Sequence, residues 1–255
     1  MRDSSYNSKL QSKYLIISIL ALIVLWQIVA LILAKPIIMP TPLETFRAFL
    51  EIVSTEWFFI AVFSTVRRMV LAFIVTLVSA ITLGMVAGFY RPFNYMFKPI
   101  ITTFKAVPTM AVIILAIIWL DSELAPILVS FLVTFPLIYQ NVVSGIQNVD
   151  PKLIEMVRLY NVGKAKTVKD VYLPSIQSYL MAGISTAVGL NVRIIIAAEV
   201  LSQPRISIGT AFQIERANLN TAGVFAWSII AIIIVGVFEI AIKAVKKSAG
   251  ARKLQ

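Results

Sequence analysis

Long uncharged apolar runs alternate along this chain with short polar stretches, and the runs are longer than the buried helices of a soluble domain require. Residues 14–34, 69–89, 176–200 and 224–245 each hold enough apolar positions to cross a hydrocarbon layer about 30 Å thick at about 1.5 Å per helical residue. Two less regular runs, 99–120 and 124–143, complete six predicted spans. Lys105 interrupts the first of these near its start, so that helix must be short, lift its lysine to the interface, or lie against protein. The second contains Pro126 and Pro136, and an internal proline at 136 predicts a kink.

The polar stretches carry the remaining organisation. Residues 1–13 read as a polar, mobile tail, 14–245 as one membrane domain, and 246–255 as a short basic tail. The first apolar run follows a basic start, yet it lacks a small-residue cleavage pattern and reads as a retained helix. After it, Pro36, Pro40 and Pro42 break the helix, and Pro42 suits the first turn of the next one. From Leu43 to Val53, Phe46, Phe49, Leu50 and Val53 recur at helical spacing while Glu44, Arg47 and Glu51 face away. That pattern predicts an amphipathic helix lying in the outer membrane interface.

Composition agrees with an all-α integral membrane protein: 59% of residues are apolar and 14% charged, with a mean hydropathy of +0.90. The chain has no cysteine and no histidine, which removes thiol nucleophiles, disulfides, imidazole bases and the usual zinc and haem ligands. The phosphate-cradling pattern G-x-x-x-x-G-K-[ST] is also missing, because Arg158 stands where the first glycine would precede Gly163 and Lys164. An enzyme reading therefore has no cluster to rest on.

The net charge of +11 is explained by topology rather than by nucleic acid. With the N-terminus inside, 16 Lys and Arg residues fall on the cytoplasmic side and 6 outside, and Arg193 lies within a span. Both termini are thus expected in the cytoplasm. Of the charges in or near spans, Glu199 lies close to the outer end of the fifth, and Arg193 sits about 9 Å deeper. Six positions on a helix place the two about 120° apart, so they do not pair along it. Arg67 or Arg68, at the outer end of the second span, is within reach of Glu199, and a structural ion pair competes there with a place in the solute path. Arg193 is the other candidate for a translocation path. Gly84 and Gly88 form a G-x-x-x-G, and with Gly183 and Gly189 they suit close helix packing.

The most informative polar stretch is the inner loop 148–175, DPKLIEMVRLYNVGKAKTVKDVYLP at its centre. Asp150 suits an N-cap and Pro151 a first turn, and Leu153, Ile154, Val157 and Tyr160 give a partly apolar face. Asn161, Val162 and Gly163 supply a turn before a second helix from Lys164 to Val171, and Pro174 marks the return to the membrane.

This loop resembles the E-A-A-x-x-x-G and L-P loop of ABC importer permeases of the binding-protein-dependent class. Glu155, Met156 and Val157 stand at the E-A-A positions, Arg158 and Tyr160 follow, Asn161 replaces the glycine, and Leu173 and Pro174 form the closing pair. The likeness extends from about Pro40 to Val245 in the order of the nitrate, sulfonate and taurine permease subfamily. STVRRMVLAFIVTLVSAITLGMVAGFY resembles its second span and FKAVPTMAVIILAIIWL its proline-led third, while AAEVLSQPRISIGTAFQIERANLNTAGVFAWSIIAI resembles the stretch joining its fifth and sixth.

The resemblance implies a type I ABC importer permease fold of six transmembrane helices in a prokaryotic plasma membrane. It also implies two permease chains, identical or nearly so, surrounded by lipid, with two ATPase subunits inside and a solute-binding protein outside. ATP and magnesium would then belong to the ATPase, with no cofactor on this chain, and the cargo would be a small anion such as a sulfonate, taurine or nitrate. A self-contained secondary transporter or channel is the alternative, and it would need ion-coupling carboxylates that the spans scarcely contain.

Overall fold

Helices in this chain begin and end where prolines, caps and left-handed residues allow. The computed structural model describes residues 2–251, with side chains described over 13–163 and 165–244. In chain order the elements are α1 (Arg2–Leu33), α2 (Pro42–Val53), α3 (Glu56–Phe89), α4 (Arg91–Ala106), α5 (Thr109–Trp119) and α6 (Ala125–Gln147). They continue as α7 (Pro151–Leu159), α8 (Lys164–Thr167), α9 (Leu173–Ser202), α10 (Ile208–Ala217) and α11 (Thr221–Ala251), with a π-helical turn, Val168–Tyr172, between α8 and α9. Five stretches are long and apolar enough to span a membrane: Lys13–Leu33, Glu56–Phe89, Ala125–Gln147, Ala165–Ser202 and Thr221–Ala244.

Three expectations change. The run 99–120 is not one helix but parts of α4 and α5, which are bent by 100° at the break between them. Pro108 carries no N–H and disfavours a helical conformation in the residue before it, and Val107 is accordingly extended at φ −69 and ψ 127. At about 16 Å, α5 alone covers about half of a hydrocarbon layer. Lys105 lies two residues before the break and hydrogen-bonds through Nζ to the Gln140 side chain of α6.

The second change is that α3 starts at Glu56 rather than Met69, because Arg68 does not end the helix but is buried inside the protein. The third is that α1 begins at Arg2, which makes the expected tail helical. In the basic tail, α11 continues to Ala251, and 252–255 lie outside the described residues.

The chain divides into two compact units, residues 1–60 with 211–231, and residues 61–210 with 232–255. In the first, α2 opens with a capping box. The Thr41 N–H donates to Glu44 Oε2 at 2.7 Å, and the Glu44 N–H donates back to Thr41 Oγ1 at 3.2 Å. The bond from the Thr41 backbone N–H holds the Glu44 carboxyl below its ordinary range. Phe46 and Leu50 are exposed, Phe49 and Val53 are half-buried, and Thr45 is buried. Trp227 is buried and packs against Trp57 and Phe58, each at a ring separation of 5.9 Å, and the Trp26 indole donates to the Pro40 carbonyl at 2.9 Å.

The second unit is built on α6 and α9, against which α3 lays a face of small residues. Ala61, Thr65, Ala72, Thr76, Ala80, Gly84 and Ala87 are all buried, each three, four or seven residues from the last. With no hydrophobic drive between helices in lipid, such a face gains by close approach and by hydrogen bonds across it. The Asn191 side chain of α9 donates to the Met69 carbonyl of α3 at 2.9 Å and accepts from Ser130 of α6, joining all three helices. Pro136 does not interrupt α6, which runs as one helix from Ala125 to Gln147.

The glycines of α3 define how close that approach is. A Cβ at Gly88 would lie 2.8 Å from Ile146 Cβ, and one at Gly84 2.9 Å from Val142 Cβ, whereas one at Gly163 would meet nothing within 4 Å. Gly84→Val and Gly88→Val are therefore expected to cost about 1–3 kcal/mol each, and Gly163→Ala to leave stability unchanged or slightly raised. Unfolding midpoints in detergent check the ordering.

Candidate functional site

The loop after α6 forms a short, capped helix because its sequence supplies both ends. The Asp150 carboxylate accepts from the Lys152 N–H at 2.9 Å, and Pro151 occupies the first turn of α7. At the other end Asn161 is left-handed with φ 48. The Asn161 N–H bonds to the Arg158 carbonyl at 3.1 Å and the Val162 N–H to the Val157 carbonyl at 3.0 Å, the paired bonds of a Schellman ending. Asn161 thus does the work of the glycine it replaces. Gly163, the other turn residue, has an ordinary negative φ.

A helix advancing about 100° per residue sorts α7 into two faces. Leu153, Met156, Leu159 and Tyr160 fall on one side and are exposed, Leu159 to 81% and Tyr160 to 78%. Pro151, Ile154, Glu155 and Arg158 fall on nearly the opposite side and line a cavity against α3, α4 and α6. Val157 lies between the two faces and is buried. The candidates of the loop are therefore divided, with Glu155 and Arg158 turned away from the face that carries Met156 and Tyr160.

Beyond the turn the chain re-enters a helix that does not stop at the Leu-Pro pair. Through the π-turn the Leu173 N–H bonds to the Val168 carbonyl, five residues back. Leu173 and Pro174 open α9, and Pro174, which has no N–H to donate, follows directly on the π-turn. Pro174 consequently marks a change of helical register rather than a break.

The other charged candidates gather at the far end of the second unit. Arg68 is 2% exposed and Glu199 fully buried, and Arg68 Nη1 lies 2.8 Å from Glu199 Oε1. A second carboxylate, Glu123 from the loop before α6, pairs with Arg68 Nη2 and also accepts from its Nε at 3.2 Å. The remaining oxygen of Glu199 accepts from Thr65 Oγ1 at 2.9 Å and from the Gly209 N–H at 3.3 Å. The Arg205 N–H donates to Glu123 Oε1 at 3.2 Å, and the Ile208 N–H to Thr65 Oγ1 at 3.0 Å. One guanidinium thereby ties α3, the loop, α9 and residues 205–209 together.

Of the two arginines within reach of Glu199, Arg68 is the one that meets it, and Arg67 is exposed. Arg193 is exposed on α9, and no ion pair among the described residues reaches it. Sequence reasoning missed Glu123 and Thr65. Glu123 gave a faint signal as an acid beside an apolar span, but its partner is 55 residues away. Thr65 gave none.

These features define a polytopic helical protein with a short helix exposed between two candidate spans and a buried charge cluster. The pattern of the binding-protein-dependent transport system inner membrane component matches residues 80–250, and the chain belongs to that family. It is similar to a permease protein named for aliphatic sulfonates transport in Bacillus subtilis, with 26% identity over 214 residues, covering 82% of this chain and 78% of the relative. It is also similar to the taurine transport system permease protein of Escherichia coli, at 24% identity with 89% and 84% covered. The bicarbonate transport system permease protein of Synechococcus elongatus is 24% identical over 57% of this chain and 53% of its own length. The chain is thus a multi-pass inner-membrane permease subunit of a transporter that works with an ABC ATPase and a solute-binding protein.

The charge cluster predicts an asymmetric response to substitution. Arg68→Gln strands the buried Glu199 carboxylate and is expected to cost about 3–5 kcal/mol. Glu199→Gln leaves Arg68 its second carboxylate and costs less, and Glu123→Gln, at a 41% exposed side chain, costs least. Thermal unfolding of the three variants in detergent checks the order.

Proposed function

We propose that this chain is one of two identical pore-forming subunits of an ATP-driven importer, placed with α7 and both termini in the cytoplasm, and that its cargo is a small oxyanion. The observation that carries the reading is the apolar side of α7. Leu153, Met156, Leu159 and Tyr160 lie together on one side of a doubly capped helix, and all four are exposed. A short helix exposing apolar residues between spans fits a groove on a soluble partner. The ATPase is that partner, and ATP and magnesium are held there.

The orientation follows from the Lys and Arg distribution, which favours the side of α7. Closure of two ATPase subunits displaces α7, and the helices joined to it reorient the pore, so that this chain contributes motion and no covalent step. The relatives named for sulfonates, taurine and bicarbonate share a cargo bearing an oxyacid group. Arg193 supplies a positive charge on a spanning helix where such a group passes, and its exposure within one copy is accounted for by a second copy and the path between them.

Three experiments test this reading. Leu159→Asp and Tyr160→Asp are expected to abolish co-purification with the ATPase and to lower vanadate-sensitive uptake at least about tenfold, a loss of about 1.4 kcal/mol or more in coupling, with unchanged unfolding midpoints. Uptake by the purified chain without any ATPase would instead favour a self-contained transporter. Arg193→Gln is expected to depress uptake while ATPase assembly persists, and unaffected uptake would remove Arg193 from the path.

A further inference from the structure

Behind α7, on the side away from its apolar face, lies a cavity of about 850 Å³. Its walls come from the end of α3, the start of α4, the end of α6 and α7. Two arginines face it from different elements, Arg91 from the first turn of α4 and Arg158 from the last turn of α7. Both are exposed, and no ion pair among the described residues involves either. Asn94, Gln147 and Asn148 add amide groups, and the carboxamide oxygen of Asn94 accepts from the Tyr139 hydroxyl at 3.5 Å, which leaves its NH₂ as a donor. Among the described lining residues Glu155 is the one carboxylate.

This inventory is lopsided. Two guanidinium groups and three amides can donate, a single carboxylate opposes them, and the formal charge of the lining is positive. Guanidinium forks match the paired oxygens of phosphorus and sulfur oxyacids, and two of them lining one cavity together with amides suit a multi-oxygen group. We infer that this cavity binds the oxyanion group of a phosphate, sulfate or sulfonate, bridged between Arg91 of α4 and Arg158 of α7.

The consequence is mechanical. Arg158 belongs to α7 and Arg91 to the segment that follows α3, so a bound oxyanion clamps α7 to the spans beside it. An occupied site restrains the element on which the ATPase is proposed to pull, and loss of the anion frees it. Only this consequence rests on the proposed role of α7, because binding is measurable on the chain without any ATPase. Two sources offer the group: the phosphodiester of an anionic lipid, recognised as basic pockets between membrane helices recognise such headgroups, and a free oxyanion of the cytosol.

The experiment uses the full chain in nanodiscs and titrates inorganic phosphate, sulfate and methanesulfonate by calorimetry. One set of discs contains phosphatidylcholine alone, and the other adds phosphatidylglycerol. Saturable binding is expected in the first set, weakened at least about tenfold by Arg91→Gln and by Arg158→Gln and strengthened by Glu155→Gln, with unfolding midpoints unchanged. Loss of that binding in the second set, with phosphatidylglycerol retained by the wild type in native mass spectrometry and shed by the double variant R91Q/R158Q, assigns the site to the lipid. Equal binding in both sets assigns it to the free anion. The inference is overturned if the wild type retains neither a free oxyanion nor phosphatidylglycerol, or if the double variant binds as the wild type does.

Discussion

A guanidinium group without access to water has to find its partners inside the protein, and in this chain Arg68 finds them on three separate elements. Its two carboxylates come from α9 and from the loop before α6, and residues 205–209 close over them with backbone N–H groups. Glu199 depends on the arginine, since it is fully buried and its charge would be left uncompensated. The cluster therefore does not simply add stability. It fixes which helices must meet at one end of the second unit, because any arrangement that separates them exposes a stranded charge.

The opposite end of the same unit follows a different rule. There α7 is capped at both ends, by Asp150 and by the left-handed Asn161, and buries little of its surface. Its one buried side chain is Val157, and its larger apolar residues point outward. Caps satisfy the end groups of so short a helix without tying its apolar side to the rest of the chain. The two ends are thus suited to different tasks, the first to holding helices together and the second to being gripped.

What the sequence revealed of this design follows from where the physics is local. The ends of α2 were legible because Pro42 and the preceding breaks act on their own neighbours. The left-handed turn at Asn161 was legible because few residues other than asparagine and glycine adopt it readily. The break at Val107 and Pro108 was not, for Pro136 obeys the same local rule inside an apolar run and leaves α6 whole. What differs is the surroundings: Pro136 is buried among packed helices, while Pro108 is exposed beside an extended residue. The early start of α3 was hidden for a related reason. Arg67 and Arg68 looked like the end of a span, and only the distant Glu123 and Glu199 explain why one of them is drawn inside.

The two ends are connected by one continuous helical piece. From Ala165 to Ser202 the chain runs through the π-turn and α9 without a gap, 38 residues in all, or about 55 Å at helical rise. One end of this rod follows directly from the turn at Asn161, and Glu199, at the other, is locked to Arg68. Between α7 and the rod stands only the short turn 160–163, closed by the Schellman bonds at Asn161 and Val162. A displacement of α7 that the turn passes on appears as bending at the π-turn, where the hydrogen-bond register already departs from the α-helix, or as movement of the rod against α3 and α6. Arg193 lies on the same rod, so any such movement shifts its charge along with the helix. The coupling of an event at one face to a change along the spanning segment is in this sense a property of chain continuity, and requires no chain of side-chain contacts between them.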